Sequence, residues 1–274
     1  MRLIKAHAYG NDFLFVPAAE AAGELPADVP ALTRALCHRH LGAGADGLIL
    51  YSLGPASATM QLFNADGSAS ELSGNGLRCL AALVAREQAL TDGVVTIDTD
   101  AGQKRLTLLA HDGARYKFRA AMGQPEEIRQ VKLSAGGESL DAIVLRMGNP
   151  QCVVLGPLPN EWRFGKIAPE LAKHWMFAAG TNVEFAQVET PERVKILIWE
   201  RGVGPTTSSG TGASAAAVAA ARYGGAQREV DVVAPGGTQR VEWLDEGVYL
   251  TGWADIVFDG QWPGPLAFPR GGRA

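Results

Sequence analysis

The sequence predicts an α/β (α+β) protein of two pseudo-symmetric lobes, each a curved, mainly antiparallel sheet around a central helix. Three observations predict it. Short runs of β-branched and aromatic residues recur between turn residues, two Ala- and Leu-rich stretches each follow a Ser-Gly-x-Gly turn, and the second half of the chain repeats the first. With 274 residues the chain has room for two cores of ordinary size.

The elements follow in chain order. Leu48-Ile-Leu-Tyr51 reads as a strand, the apolar run Met60-Gln-Leu-Phe63 ends at Asn64, and the chain after Ser73-Gly-Asn-Gly76 turns Ala- and Leu-rich for three to four turns, a helix. Val94-Val-Thr-Ile97 is a further strand. In the second half, Val144-Leu-Arg-Met147, Cys152-Val-Val-Leu155 and Val194-Lys-Ile-Leu-Ile-Trp199 read as strands. The stretch after Ser209-Gly-Thr-Gly212 has small residues all round and no polar face, so that helix is expected to be buried.

The repeat is specific. Glu71 to Arg86 matches Thr207 to Arg222, and the step from Ser73 to Ser209 is 136 residues. The same step pairs Asn64 with Glu200, each nine residues before its serine, and Gly44-Ala-Asp46 with Gly180-Thr-Asn182. Gly10-Asn11 and Gly148-Asn149 recur at a step of 138. The repeat places the N-terminal lobe at 1–115 plus about 258–274, with the tail returning to it, and the C-terminal lobe at 116–257.

Composition narrows the function. Twenty-five basic against twenty-nine acidic residues, with no basic run to track a phosphate backbone, argue against nucleic acid as a partner. The N-terminus lacks the apolar core of a signal peptide, and the longest apolar stretch, Ala213 to Ala221, is too short to span a bilayer, so the expectation is a cytoplasmic protein without a membrane partner. Cys37, Cys79 and Cys152 are too scattered for a disulfide framework or a metal site and read as reduced and buried. No metal site is expected at His38 and His40, whose i,i+2 spacing would point them to different faces of a helix.

The two glycine turns are the candidate site. Backbone N–H groups at a helix N-terminus have no internal partner and carry partial positive charge, so each turn is an anion site, and glycine lets a ligand approach the backbone. A structural role competes with this, since serine is a favoured N-cap, asparagine serves turns, and Glu200-Arg201 could be a solvated pair at a strand end. Duplication, with an amide or carboxylate at a fixed distance before each turn, favours a site.

The segments Gly10-Asn-Asp-Phe13, Gly44-Ala-Asp-Gly47, Phe63-Asn-Ala-Asp-Gly-Ser68, Gly74-Asn-Gly-x-Arg-Cys79, Gly148-Asn-Pro150, Gly180-Thr-Asn-Val183, Glu200-Arg-Gly-Val-Gly204 and Gly210-Thr-Gly212 resemble, in order, the signatures of the diaminopimelate epimerases. The resemblance runs through nearly the whole chain. It implies two similar lobes and chemistry without a cofactor or metal: one base removes the α-proton of an amino-dicarboxylate while an acid on the opposite face returns one. It assigns Asn11, Asn64, Asn149, Asn182, Glu200 and Arg201 to substrate recognition, with Arg201 on the distal carboxylate. Gly74, Asn75, Gly210 and Thr211 would present helix N-termini to the α-carboxylate. A homodimer is also implied.

Both catalytic positions of that family are cysteine; here they are Ser73 and Ser209. A thiol titrates near about 8.5, lower at a helix N-terminus, whereas a serine hydroxyl is far less acidic and needs a partner base. Pro205 stands where the family more often has glutamate, and Gly47 where many members have glutamine. Three readings stay open: an epimerase whose cysteines were replaced, a natural member using serine for the same or a related racemase or isomerase reaction, and a binding protein that keeps the fold. Cys79, on the helix, reads as core packing.

Overall fold

The structure, a computed structural model, describes residues 1–24 and 28–263. The described residues form two compact units: 1–24, 28–104, 111–116 and 254–263, and 105–110 and 117–253. Of the tail expected to return to the first lobe, residues 264–274 lie outside the described residues.

In the first unit β1 (Arg2–Ala8) pairs antiparallel with β2 (Asn11–Pro17), and β2 runs parallel to β3 (Gly47–Gly54) after a crossover that carries α1 (Ala18–Glu24) and α2 (Val29–Cys37). β3 pairs antiparallel with β4 (Ser57–Asn64), β4 takes the short β5 (Ala69–Ser70) as a hairpin, and α3 (Gly74–Glu87) returns the chain to β6 (Gly93–Thr99), parallel to β4. Both parallel joins need long connections, and helices supply them.

After β7 (Gly102–Asp112), β8 (Arg115–Gly123) and β9 (Glu126–Ala135), the second unit repeats that order. β10 (Glu138–Met147) pairs antiparallel with β11 (Asn149–Leu155), β11 runs parallel to β12 (Asn182–Thr190) after α4 (Glu161–Ala172), and β12 pairs antiparallel with β13 (Arg193–Glu200). A hairpin to β14 (Gly204–Thr206) precedes α5 (Gly210–Tyr223) and β15 (Glu229–Ala234), which is parallel to β13. β16 (Gly237–Leu244) and β17 (Gly247–Gln261) close the series; β17 pairs with β16 through residues 248–251 and with β1 through residues 255–261.

The strands of each unit are therefore mainly antiparallel with two parallel joins. In the second unit the sheet has a helix on each face. α5 lies against β10, β11, β12, β13, β15 and β16, and its Ala213–Ala220 run packs on Val153, Ala186, Ile196, Val230 and Leu250. Alanine and glycine let the sheet close tightly round this helix, as its lack of a polar face predicted. On the other face α4 covers Cys152, Val154, Val183 and Phe185.

Register corrects one step of the repeat. Phe13 pairs with Gly47 and Gln151 with Asn182, so the counterpart of Asn182 is Gly47, not Asp46. The helices confirm this: a Cβ on Gly76 would meet Ile49 Cδ1 at 3.0 Å, and one on Gly212 would meet Glu184 Oε1 at 2.6 Å, so Ile49 and Glu184 fill the same place in the two units. All three cysteines are buried and free, and burial pushes the Cys37 thiol up to about 12 and the Cys79 and Cys152 thiols further, which suits packing and not chemistry. His38 and His40 follow α2 instead of lying on a helix, with His38 as its C-cap. No helix among the described residues is long and apolar enough to cross a membrane.

Candidate active site

The two serines cap their helices in the same way. Ser73 has φ −135° and ψ 121°, Ser209 φ −141° and ψ 128°, both extended, and each Oγ accepts from the N–H three residues on, Gly76 at 3.1 Å and Gly212 at 3.2 Å. This is the N-cap arrangement that satisfies one of the free donors of a helix start. Gly74 and Asn75, and Gly210 and Thr211, form the first turns of the two helices, at the dipole ends where negative charge is favoured. Thr211 Oγ1 lies 3.4 Å from Ser209 Oγ. Among the described residues no histidine or carboxylate is hydrogen-bonded to either serine hydroxyl.

In the first unit Asn11 opens β2, Gly47 opens β3, Asn64 ends β4 and Ser73 caps α3, so the predicted residues gather at one end of the sheet. Asn11 is held on both sides of its amide: Nδ2 donates to Asp46 Oδ2 at 2.8 Å, and Oδ1 accepts from Asn75 Nδ2 at 3.1 Å. Asn75 Oδ1 in turn accepts from Arg78, whose guanidinium is buried with Tyr9's ring 5.7 Å away. Asn64 Nδ2 donates to Ser68 Oγ at 3.0 Å. Behind Asn11, Arg39 joins Asp12 and Asp46. Burial would raise the Asp12 carboxyl, but the hydrogen bonds and charges of Arg39 and Lys5 win and hold it below the usual carboxylate range.

The second unit sets Asn149, Asn182, Glu200 and Ser209 at the matching sheet end. Asn182 Oδ1 accepts from the Arg201 N–H at 2.9 Å, the Arg201 guanidinium donates to Ala179 O at 2.8 Å, and Thr206 Oγ1 donates to Glu200 at 3.3 Å. Arg201 is exposed, so its charge is available to a carboxylate, which a guanidinium binds in a two-pronged way.

Two residues that sequence reasoning missed stand behind this set. Gln151 and Glu184 are fully buried on the face of β11 and β12 that packs on α5. With its amide nitrogen turned to Glu184, Gln151 donates to Oε1 at 3.1 Å and Oε2 at 3.3 Å, while its oxygen accepts from Asn182 Nδ2 at 3.2 Å and Thr211 Oγ1 at 3.3 Å. The sequence shows each as a polar residue on a largely apolar strand, and only the packing of α5 shows that it faces inward.

The chain matches the family profile described as diaminopimelate epimerase over residues 3–128 and 143–257. It is 42% identical to the diaminopimelate epimerase of Desulforudis audaxviator, covering 96% of this chain and 99% of that protein. The diaminopimelate epimerase of Desulfitobacterium hafniense is 37% identical, with 95% and 97% covered. Among solved structures, a predicted epimerase from Pseudomonas aeruginosa superposes with a TM-score of 0.73 at 16% identity, over 96% of this chain and 99% of that one. A probable proline racemase from Agrobacterium radiobacter K84 gives 0.71 at 16% identity, over 95% and 92%. At such identities the structures share the fold alone.

Proposed function

The chain belongs to the diaminopimelate epimerase family, and we propose that it is an isomerase that interconverts LL- and meso-diaminopimelate by proton transfer at an α-carbon. Ser73 serves one face of that carbon and Ser209 the other. The N-termini of α3 and α5, through Gly74, Asn75, Gly210 and Thr211, take up the negative charge that reaches the α-carboxylate as the proton leaves, the stabilisation such a carbanion needs. Asn11, Asn64, Asn149, Asn182 and Glu200 hold the remaining polar groups, and Arg201 the distal carboxylate. The same reading carries a cytoplasmic setting, a homodimer and a step towards lysine and peptidoglycan precursors, all by family resemblance.

The observation that carries the reading is the twofold recurrence of one geometry: a serine N-cap with near-identical dihedrals, beside the same sheet end, in both units. Serine lowers the rate. A helix N-terminus stabilises an alkoxide as it does a thiolate, but the hydroxyl starts as a much weaker acid, and turnover is slow.

Each hydroxyl is engaged as a helix cap, with no histidine or carboxylate bonded to it among the described residues, which favours a second reading, a family member that binds diaminopimelate without inverting it. Incubation with LL-diaminopimelate in heavy water separates the two. Deuterium at an α-carbon with meso product supports the epimerase; tight binding without exchange supports the binding protein; no binding overturns the substrate assignment.

A further inference from the structure

Gln151 and Glu184 are a polar pair where the fold does not need one. Their counterparts in the first unit are Phe13 and Ile49, fixed by the shared register and by the equivalent approach to Gly76 and Gly212. The same backbone thus packs an apolar pair under α3 and an amide with a carboxyl under α5. A buried carboxyl is expensive to keep and often gives no stability over an apolar side chain of similar size.

The partners of the pair point to its use. With its nitrogen turned to Glu184, the Gln151 amide donates to both carboxyl oxygens, and its oxygen accepts from Asn182 Nδ2 and Thr211 Oγ1; the Asn149 side chain lies against that same oxygen and has to turn its own nitrogen inward to donate to it. Each of these three belongs to the substrate-binding set of the proposed function. In the first unit the corresponding Asn11 is oriented from elsewhere, by Asp46 and Asn75.

We propose that Gln151 and Glu184 are positioning residues: Glu184 locks the Gln151 amide, and that amide sets the side-chain orientations of Asn149, Asn182 and Thr211 for the substrate. Glu184 makes no hydrogen bond to Ser209 and acts through Gln151. The binding arm of the test rests on the proposed function; the spectroscopic arm does not.

Two variants test it. Q151F/E184I copies the pair of the first unit and should fold with an unchanged or higher melting temperature, whereas E184Q keeps an acceptor for Gln151. In ligand-free, nitrogen-15-labelled protein, the side-chain amide signals of Asn149 and Asn182 should shift and broaden in Q151F/E184I but stay near their native positions in E184Q. Diaminopimelate affinity should fall about tenfold in the double variant and stay within about twofold in E184Q. Unmoved amide signals in a folded Q151F/E184I protein overturn the proposal, as does an equal loss in both variants. If the native protein does not bind diaminopimelate at all, the proposed function fails, and the amide signals still decide the positioning role.

Discussion

Burial pushes the Glu184 carboxyl well above the ordinary carboxylate range, and repulsion from Glu200 acts in the same direction. In the unfolded chain this proton leaves near 4.5, while the folded protein retains it. Folded protein then binds more protons than unfolded, so Glu184 lowers stability progressively as pH rises above that value. E184Q removes the penalty: its melting temperature should gain on the native protein as pH is raised, with no gain at or below about pH 4. The serines have a separate structural role. Ser73→Ala deletes the acceptor for the Gly76 N–H and should reduce stability by about 1 kcal/mol in denaturant titration, as should Ser209→Ala.

At the scale of elements, α3 and α5 differ in what their first turns rest on. Gly76→Ala presses on a flexible methyl of Ile49 and gains helix propensity, so its stability should stay within about 1 kcal/mol of native. Gly212→Ala drives a methyl into the Glu184 carboxyl and should both destabilise the protein and weaken diaminopimelate binding, measured by titration calorimetry. Much of this was legible beforehand. The Ser-Gly-x-Gly turns, the strand runs and the buried alanine helix announce themselves by composition and by repetition. Glu184 did not, because Asn182-Val-Glu-Phe185 alternates polar and apolar like a strand with one face in water; only the packing of α5 shows that this face is covered. The slip between Asp46 and Gly47 has a similar origin, since the helical crossovers α1–α2 and α4 differ in length and only backbone pairing fixes where β3 and β12 enter the sheet. Helix α4, capped by Asn160 and carrying Pro169, gave no repeat signal because its counterpart in the first half is built differently.

For the whole molecule, stability should also fail on the acid side. Hydrogen bonds from Arg2, with further help from Arg86, hold Glu87 and Asp259 below the usual carboxylate range, tying the end of α3 to β17 in the first unit. Groups with depressed values contribute stability above their unfolded values and lose it as pH falls through the folded ones, so the melting temperature should drop below about pH 4, and less steeply in Arg2→Ala. Chemistry depends on a different property, the two capped helix starts. The most direct test is α-proton exchange of LL-diaminopimelate in heavy water by the native chain and by S73C/S209C. Both proteins should bind, with slow exchange by the native chain and exchange at least about a hundredfold faster with the two thiols, the lower range of what positioned acids and bases contribute. A folded S73C/S209C protein that binds diaminopimelate without exchanging its α-proton would contradict the epimerase reading.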